Sequence, residues 1–445
     1  MKICNSDSEV KLRNFNMMLK LSLLIQRIFE TLKINELMPR WVIPLIIFSI
    51  LLFVLEYYAF QAVKTITKHK TAKMAWLIFN FGVYAYFLFV IFTTPRSAGQ
   101  TKEFQFAAGM MITVLIPKLL TLIFLFGEDV VRWSQKLMSS FGSGPTEPIA
   151  GRRKFISQIA LGLAAIPFAS FLYGIIQGRY NYKVLKYQLS FEDLPDAFDG
   201  FTITQISDLH SGSFTNQEKI QYGVNMINEQ NSDIILFTGD IVNNKATEMD
   251  NWMEMFGNLN APFGKFSVLG NHDYGDYTNW PSNEAKKANF QAIKDIYPKL
   301  GFELLCNESR YIEKDGQKIA LVGVENWGKG RFHKKGDLKK AAKGVNKNDF
   351  KVLMSHDPSH WDLEVKKDDF HYHLTLSGHT HGLQMGIEIP GWIKWSPSKY
   401  VYKQWAGLYE ESGRYINVNR GFGYHAFPGR VGIWPEITVV ELKKA

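Results

Sequence analysis

The chain has 445 residues and a formal net charge of +9, and its length, with long apolar runs beside ordinary soluble sequence, points to two unlike parts. The charge is N-terminal: residues 1–180 hold 20 Lys and Arg against 9 Asp and Glu, residues 181–445 hold 31 against 33. A nucleic-acid binder would carry its surplus on the soluble part, so no nucleic acid is expected, and the basic flanks point to membrane lipids as partners. Cys4 and Cys306 stand far apart in no ligand spacing, which excludes a disulfide framework and a zinc finger.

In chain order, residues 1–40 read as an N-terminal interfacial segment, with Leu12–Ile34 mixing apolar residues with Lys20, Arg27 and Lys33 as an amphipathic helix would. Residues 41–176 read as a four-helix transmembrane region. Trp41–Phe60, Ala75–Phe92, Phe106–Phe126 and Phe155–Ile176 each approach the roughly 20 residues that cross a bilayer. Loop lysines 64, 68, 70 and 73, with Arg132, Lys136, Arg152, Arg153 and Lys154, favour a multi-pass cell-membrane protein whose catalytic domain is non-cytoplasmic. Seven basic residues within 1–40 oppose that orientation, and Arg152-Arg153, resembling a twin-arginine signal, breaks the tie. Only Glu56 and Lys118 are charged within the spans, too few for a transport path.

Residues 177–196 read as a polar linker and 197–445 as a soluble α/β domain. Strand-like runs recur at Phe201–Ser207, Asp233–Thr238, Lys265–Leu269, Lys318–Val324, Phe350–Ser355 and His371–Ser377, with closing strands at Tyr415–Asn419 and Ile437–Leu442. Thr215–Gln230 reads as a helix capped by threonine, making the first unit a right-handed βαβ. Ligands are then expected at the carboxyl ends of the strands.

Those ends carry the chemistry. Asp208-Leu209-His210 places a carboxylate and an imidazole at i and i+2, one face if extended. Gly239-Asp240 offers a carboxylate able to bridge two cations, and Gly270-Asn271-His272-Asp273 an amide, an imidazole and a carboxylate. Ser355-His356-Asp357 and Gly378-His379-Thr380-His381-Gly382 end two further strands. His360, His371, His373 and His425 read as loop or sheet-surface histidines, with the pocket as a second option for His425. Arg420 and Arg430 read as phosphate clamps or solvated residues, and Lys329–Lys347 as an exposed basic face.

The ordered motifs DxH, GD, GNHD, a strand-end His and GHTH resemble the calcineurin-like metallophosphoesterase family, in its membrane-associated branch with GHTHGxQ, over roughly residues 197–442. The resemblance implies a four-layer α/β/β/α sandwich. It also implies two divalent metal ions (Mn, Fe or Zn), one held by Asp208, His210 and His381, the other by Asn271, His356 and His379, with Asp240 bridging. His272, oriented by Asp273, is the implied general acid, off the metals. Asn243 stands where the family often has Asp, at a supporting position. The expected activity is hydrolysis of a phosphodiester or pyrophosphate, lipid-linked if the anchor marks the substrate, by a metal-bridged hydroxide. The alternative is a catalytically weak metal-binding sensor or scaffold on the same fold.

Overall fold

A computed structural model describes residues 42–95, 98–141, 151–330, 332 and 334–445. The expected interfacial segment at 1–40 lies outside them. Four helices, α1 (Val42–Ile66), α2 (Lys70–Thr93), α3 (Lys102–Ser140) and α4 (Arg152–Ile176), are each long and apolar enough to cross a membrane. They overlap the four expected spans and extend beyond them, because helical hydrogen bonding continues through the polar flanks once the apolar centre is helical.

The chain divides into two compact units, one from the described residues up to Lys73 with Lys118–Ala164, the other from Met74–Pro117 with Ala165–Ala445. In the first, Glu56 is ion-paired with Lys118, so the two charges within the apolar spans neutralise each other. Arg153 donates to Glu128 at 2.5 Å and Asp129 at 3.0 Å. In the second, Lys102 at the start of α3 donates to the Phe214 carbonyl at 2.6 Å, and Gln105 to Ser213 Oγ at 3.0 Å.

The rest of the second unit is two six-stranded sheets face to face. The strands of the first run β1 (Lys183–Phe191), β14 (Glu436–Lys444), β2 (Thr202–Ile206), β3 (Ile234–Phe237), β4 (Lys265–Ser267) and β5 (Glu303–Leu304). Those of the second run β12 (Gly407–Glu411), β13 (Arg414–Val418), β9 (Leu374–Ser377), β8 (Lys351–Met354), β7 (Gln317–Gly323) and β6 (Glu308–Lys314). Alternate side chains face opposite ways along a strand, so Ile234 and Leu236 enter the core between the sheets while Ile235 and Phe237 meet the helices outside. Ile319, Leu321, Val352 and Met354 likewise face the inter-sheet core, and Ala320, Val322 and Leu353 the other outer layer. Helices α5 (Gln217–Asn228), α6 (Met253–Gly257) and α7 (Asn283–Lys299) cover the first sheet, and α8 (Leu338–Ala341) and α9 (Ser359–Leu363) the second, which completes the expected four layers.

Three local expectations need correction. Residues 177–196 are not merely a linker: Lys183–Phe191 is β1, parallel to β14 with Lys183 opposite Glu436. Asn216, not Thr215, caps α5 by accepting from Lys219 N at 2.9 Å, while Thr215 Oγ1 is 2.8 Å from Tyr180 OH. His373 is buried against Phe350 with Nε2 2.7 Å from Asp193, and His360 is buried on α9, stacked on Trp327, so neither lies on a solvated surface.

Candidate active site

β2, β3, β4, β8 and β9 all end at one edge of the sandwich, and the short turns after them carry the expected ligand residues. The turns are tight. Asp208, His210, Asp240, His379 and His381 all adopt left-handed backbone, with φ of 53°, 49°, 61°, 75° and 48°. Asp208 and His210 therefore converge through a coiled turn, not the extended geometry their spacing suggests. Such conformations persist for non-glycine residues only where the surroundings hold them, and here backbone bonds do so: Asp208 N donates to Gly239 O and His210 N to Asp240 O. Glycine is required beside them, since a Cβ on Gly378 would sit 1.9 Å from Ser207 Oγ and one on Gly270 2.1 Å from Asp240 Oδ1.

All seven expected ligand residues meet. His381 Nε2 lies 3.2 Å from Asp208 Oδ1 and 3.0 Å from His210 Nε2. Asp240 Oδ2 lies 3.6 Å from His210 Nε2 and 3.1 Å from His356 Nε2. Asn271 Oδ1 is 2.7 Å from His379 Nδ1, whose ring stands 5.1 Å from that of His356. Asp208 with His210 and His381, and Asp240 with His356 and His379, form two groups close enough to hold a metal ion. Two imidazole nitrogens and a carboxylate oxygen aimed at one another is a donor set suited to a cation.

The surrounding bonds fix the rings. His356 Nδ1 donates to the Thr238 carbonyl at 2.7 Å, which turns its Nε2 toward Asp240 Oδ2. His210 Nδ1 is 3.1 Å from Asn243 Oδ1, and Asn243 Nδ2 donates to Ser213 Oγ, itself bonded to Gln105 of α3. Burial pushes the Asp240 carboxyl up, but His356 and His272 beside it pull it well below the usual carboxylate range. Asp273 moves the other way, pushed up to about 7 by burial and by neighbouring Asp240.

His272 stands at the same edge, its ring 4.8 Å from that of His210, but Asp273 does not orient it. His272 Nδ1 donates to the Asn243 carbonyl at 2.8 Å. Asp273 instead braces the loops, accepting from the backbone N–H of Asp240, Ile241 and Gly270 and from Tyr297. With the His272 Nδ1 proton taken by the Asn243 carbonyl and Asp273 engaged by the loops, the expected orienting role of Asp273 is corrected.

His425 belongs to the site: its ring stacks on His210 at 4.6 Å and meets His272 at 4.4 Å, and the three form another group able to hold a cation. Tyr402, not singled out by any sequence pattern, has its hydroxyl 2.8 Å from His379 Nε2. Neither Arg420 nor Arg430 is solvated. Arg420 pairs with Glu436 and with Glu388, and fully buried Arg430 donates to the Gly421 and Gly423 carbonyls, 3.2 Å from His381 Nδ1.

Residues 201–383 match the calcineurin-like phosphoesterase family, and residues 39–179 match a probable calcineurin-like phosphoesterase transmembrane domain. The uncharacterized metallophosphoesterase YkuE of Bacillus subtilis is 34% identical over 253 residues, 56% of this chain and 82% of that protein. The chain belongs to the calcineurin-like metallophosphoesterases. This phosphoesterase is also 26% identical to a transmembrane protein with metallophosphoesterase domain of Danio rerio, over 73% of this chain and 71% of that one. It is 26% identical, over 59% of its own length and 91% of the other's, to the UDP-2,3-diacylglucosamine pyrophosphatase LpxG of Chlamydia muridarum. The phosphoesterase is a hydrolase with apolar membrane helices, of a family that uses divalent metals, and its His/Asp groups are suited to bind them.

Proposed function

We propose that this phosphoesterase is a multi-pass membrane protein that hydrolyses a phosphodiester or pyrophosphate bond of a lipid-linked substrate, using a pair of divalent cations. The observation that carries the reading is Asp240, whose Oδ2 lies within 3.6 Å of His210 Nε2 and 3.1 Å of His356 Nε2, so that one carboxylate reaches both ligand groups. Asp208, His210 and His381 would hold one ion, Asn271, His356 and His379 the other, and Asp240 both. When bound, such a pair clamps the phosphate oxygens and lowers the pKa of the attacking water. Mixed oxygen and nitrogen donors suit Mn, Fe or Zn. His272, its Nδ1–H held by the Asn243 carbonyl, would need its imidazolium form to carry a second proton on Nε2, and in that form would give this proton to the leaving oxygen. Asp273 fixes the Asp240 and Gly270 turns. Similarity to a pyrophosphatase named for a diacylated sugar nucleotide, together with the four apolar helices, supports a lipid-linked substrate. The lysine-rich stretch 64–73 and Arg152-Arg153-Lys154 support a catalytic domain outside the cytoplasm.

Purified full-length protein with Mn²⁺ is expected to cleave bis-p-nitrophenyl phosphate faster than p-nitrophenyl phosphate, and to lose both activities to EDTA until metal is restored. Turnover that survives chelation and dialysis refutes the metal-dependent reading. Asn243→Ala removes the side chain behind His210. It is expected to weaken metal affinity about 10–100-fold, read as a rise in the Mn²⁺ concentration for half-maximal activity.

A further inference from the structure

Beyond the His379–His381 turn the chain leaves the sheets as a hairpin of β10 (Ile387–Ile389) and β11 (Ile393–Trp395). Ile387 pairs with Trp395 and Ile389 with Ile393, while Glu388 pairs with Lys394. Side chains alternate between the two faces of such a ribbon, so apolar residues share one face and charges the other. The faces are inverted relative to a water-borne hairpin. Glu388 accepts from buried Arg420 at 2.6 Å, and Lys394, an exposed residue, donates through Nζ to the Ala406 carbonyl at 2.5 Å, so both charged groups are engaged by the protein. The apolar face turns out: Ile387 is 51% exposed and Trp392, in the turn, 77%. Tyr400 and Val401, just beyond, are 74% and 62% exposed, giving a contiguous stretch of sequence with its large apolar groups uncovered.

Two observations identify what covers this face. The first is continuity with an apolar helix: Gly386 N at the hairpin root donates to Val431 O at 2.9 Å, and Met385 and Val431 pack on Phe171 and Ile175 in the last turns of α4. The root therefore adjoins the end of a helix apolar enough to cross a membrane. The second is composition. Trp392, Trp395 and Tyr400 interspersed with Lys394, Lys399 and Lys403 is the mixture that settles at a lipid–water boundary. The same segment is tied to the ligand turn, since Ser396 Oγ donates to the Gly382 carbonyl at 2.6 Å and Tyr402 OH reaches His379.

The geometry points to residues 387–401 lying in the headgroup–acyl boundary of the bilayer, where they deliver membrane-resident phosphoesters to the adjacent site. The delivery half rests on the hydrolytic reading above; the insertion half does not. The test uses the full chain with Cys4→Ser, Cys306→Ser and Trp392→Cys, spin-labelled at 392 and reconstituted into phosphatidylcholine and phosphatidylglycerol vesicles. The label is expected to be more accessible to oxygen than to a water-soluble nickel chelate, the reverse of a label placed by Glu410→Cys. Equal nickel accessibility at 392 and 410 overturns insertion, and so does a label shielded from both reagents, which would mean that protein covers the face. In a second arm, Ile389→Glu with Trp392→Glu is expected to slow cleavage of vesicle-borne CDP-diacylglycerol about tenfold and leave bis-p-nitrophenyl phosphate within about twofold. No loss on the lipid, or matching losses on both substrates, overturns delivery. If the unaltered protein cleaves neither compound, the hydrolytic reading fails and delivery with it, while label depth still decides insertion.

Discussion

Replacing Asp240 by Asn is expected to lower kcat on bis-p-nitrophenyl phosphate by about 10³-fold, or some 4 kcal/mol of barrier, the scale of lost metal Lewis-acid stabilisation. The size follows from position. Asp240 is buried, is held ionised by His356 and His272, and lies within reach of both ligand groups. Asn is isosteric and still accepts from the His272 N–H that Asp240 Oδ1 receives at 2.8 Å, so the fold should survive. Metal analysis separates the causes: the variant is expected to retain less than the unaltered protein's metal while melting at a similar temperature. A variant of wild-type rate would refute a role for this carboxylate in holding metal.

His272→Ala is expected to cost about 10²–10⁴-fold in kcat on substrates with alkoxide leaving groups, the range of a lost general acid. On p-nitrophenyl esters, whose leaving group departs without a proton, the loss should be smaller by at least about tenfold. That contrast distinguishes proton donation from a structural contribution, which would depress both alike. Because Nδ1 is engaged by the Asn243 carbonyl, not by a carboxylate, Asp273→Asn should act differently. It disturbs the backbone donors of Asp240, Ile241 and Gly270 and so should lower metal occupancy without the leaving-group contrast.

The positions of the ligand residues were legible because each follows a strand whose two faces are both buried. β3 and β8 have no exposed residue: Ile234–Phe237 is a continuous apolar run, and so are residues 352–354 after the buried Lys351, each stopping at a polar turn. β1 was not legible, because Lys183, Lys186 and Gln188 interrupt its apolar residues and four of its nine residues are exposed. Arg420, Arg430 and His360 could not be placed from sequence, since burial of a polar side chain depends on partners distant in the chain, such as Glu388 and Glu436 for Arg420. The partner that orients His272 is a backbone carbonyl, which every residue possesses and which leaves no mark in the sequence. The left-handed turns at Asp208 and His210 are set by the Gly239 and Asp240 carbonyls across from them, another non-local cause.

The β1–β14 ladder joins positions about 250 residues apart and seats β14 between β1 and β2, the strand that leads into Asp208. During synthesis the membrane helices and β1 emerge long before their partner, and the first sheet cannot fill its second place until β14 has been made. Folding of the catalytic half should therefore be slow and late, in keeping with its distant contacts. Until β14 arrives, the exposed edges of β1 and β2 are a point at which a nascent chain can mispair or recruit a chaperone.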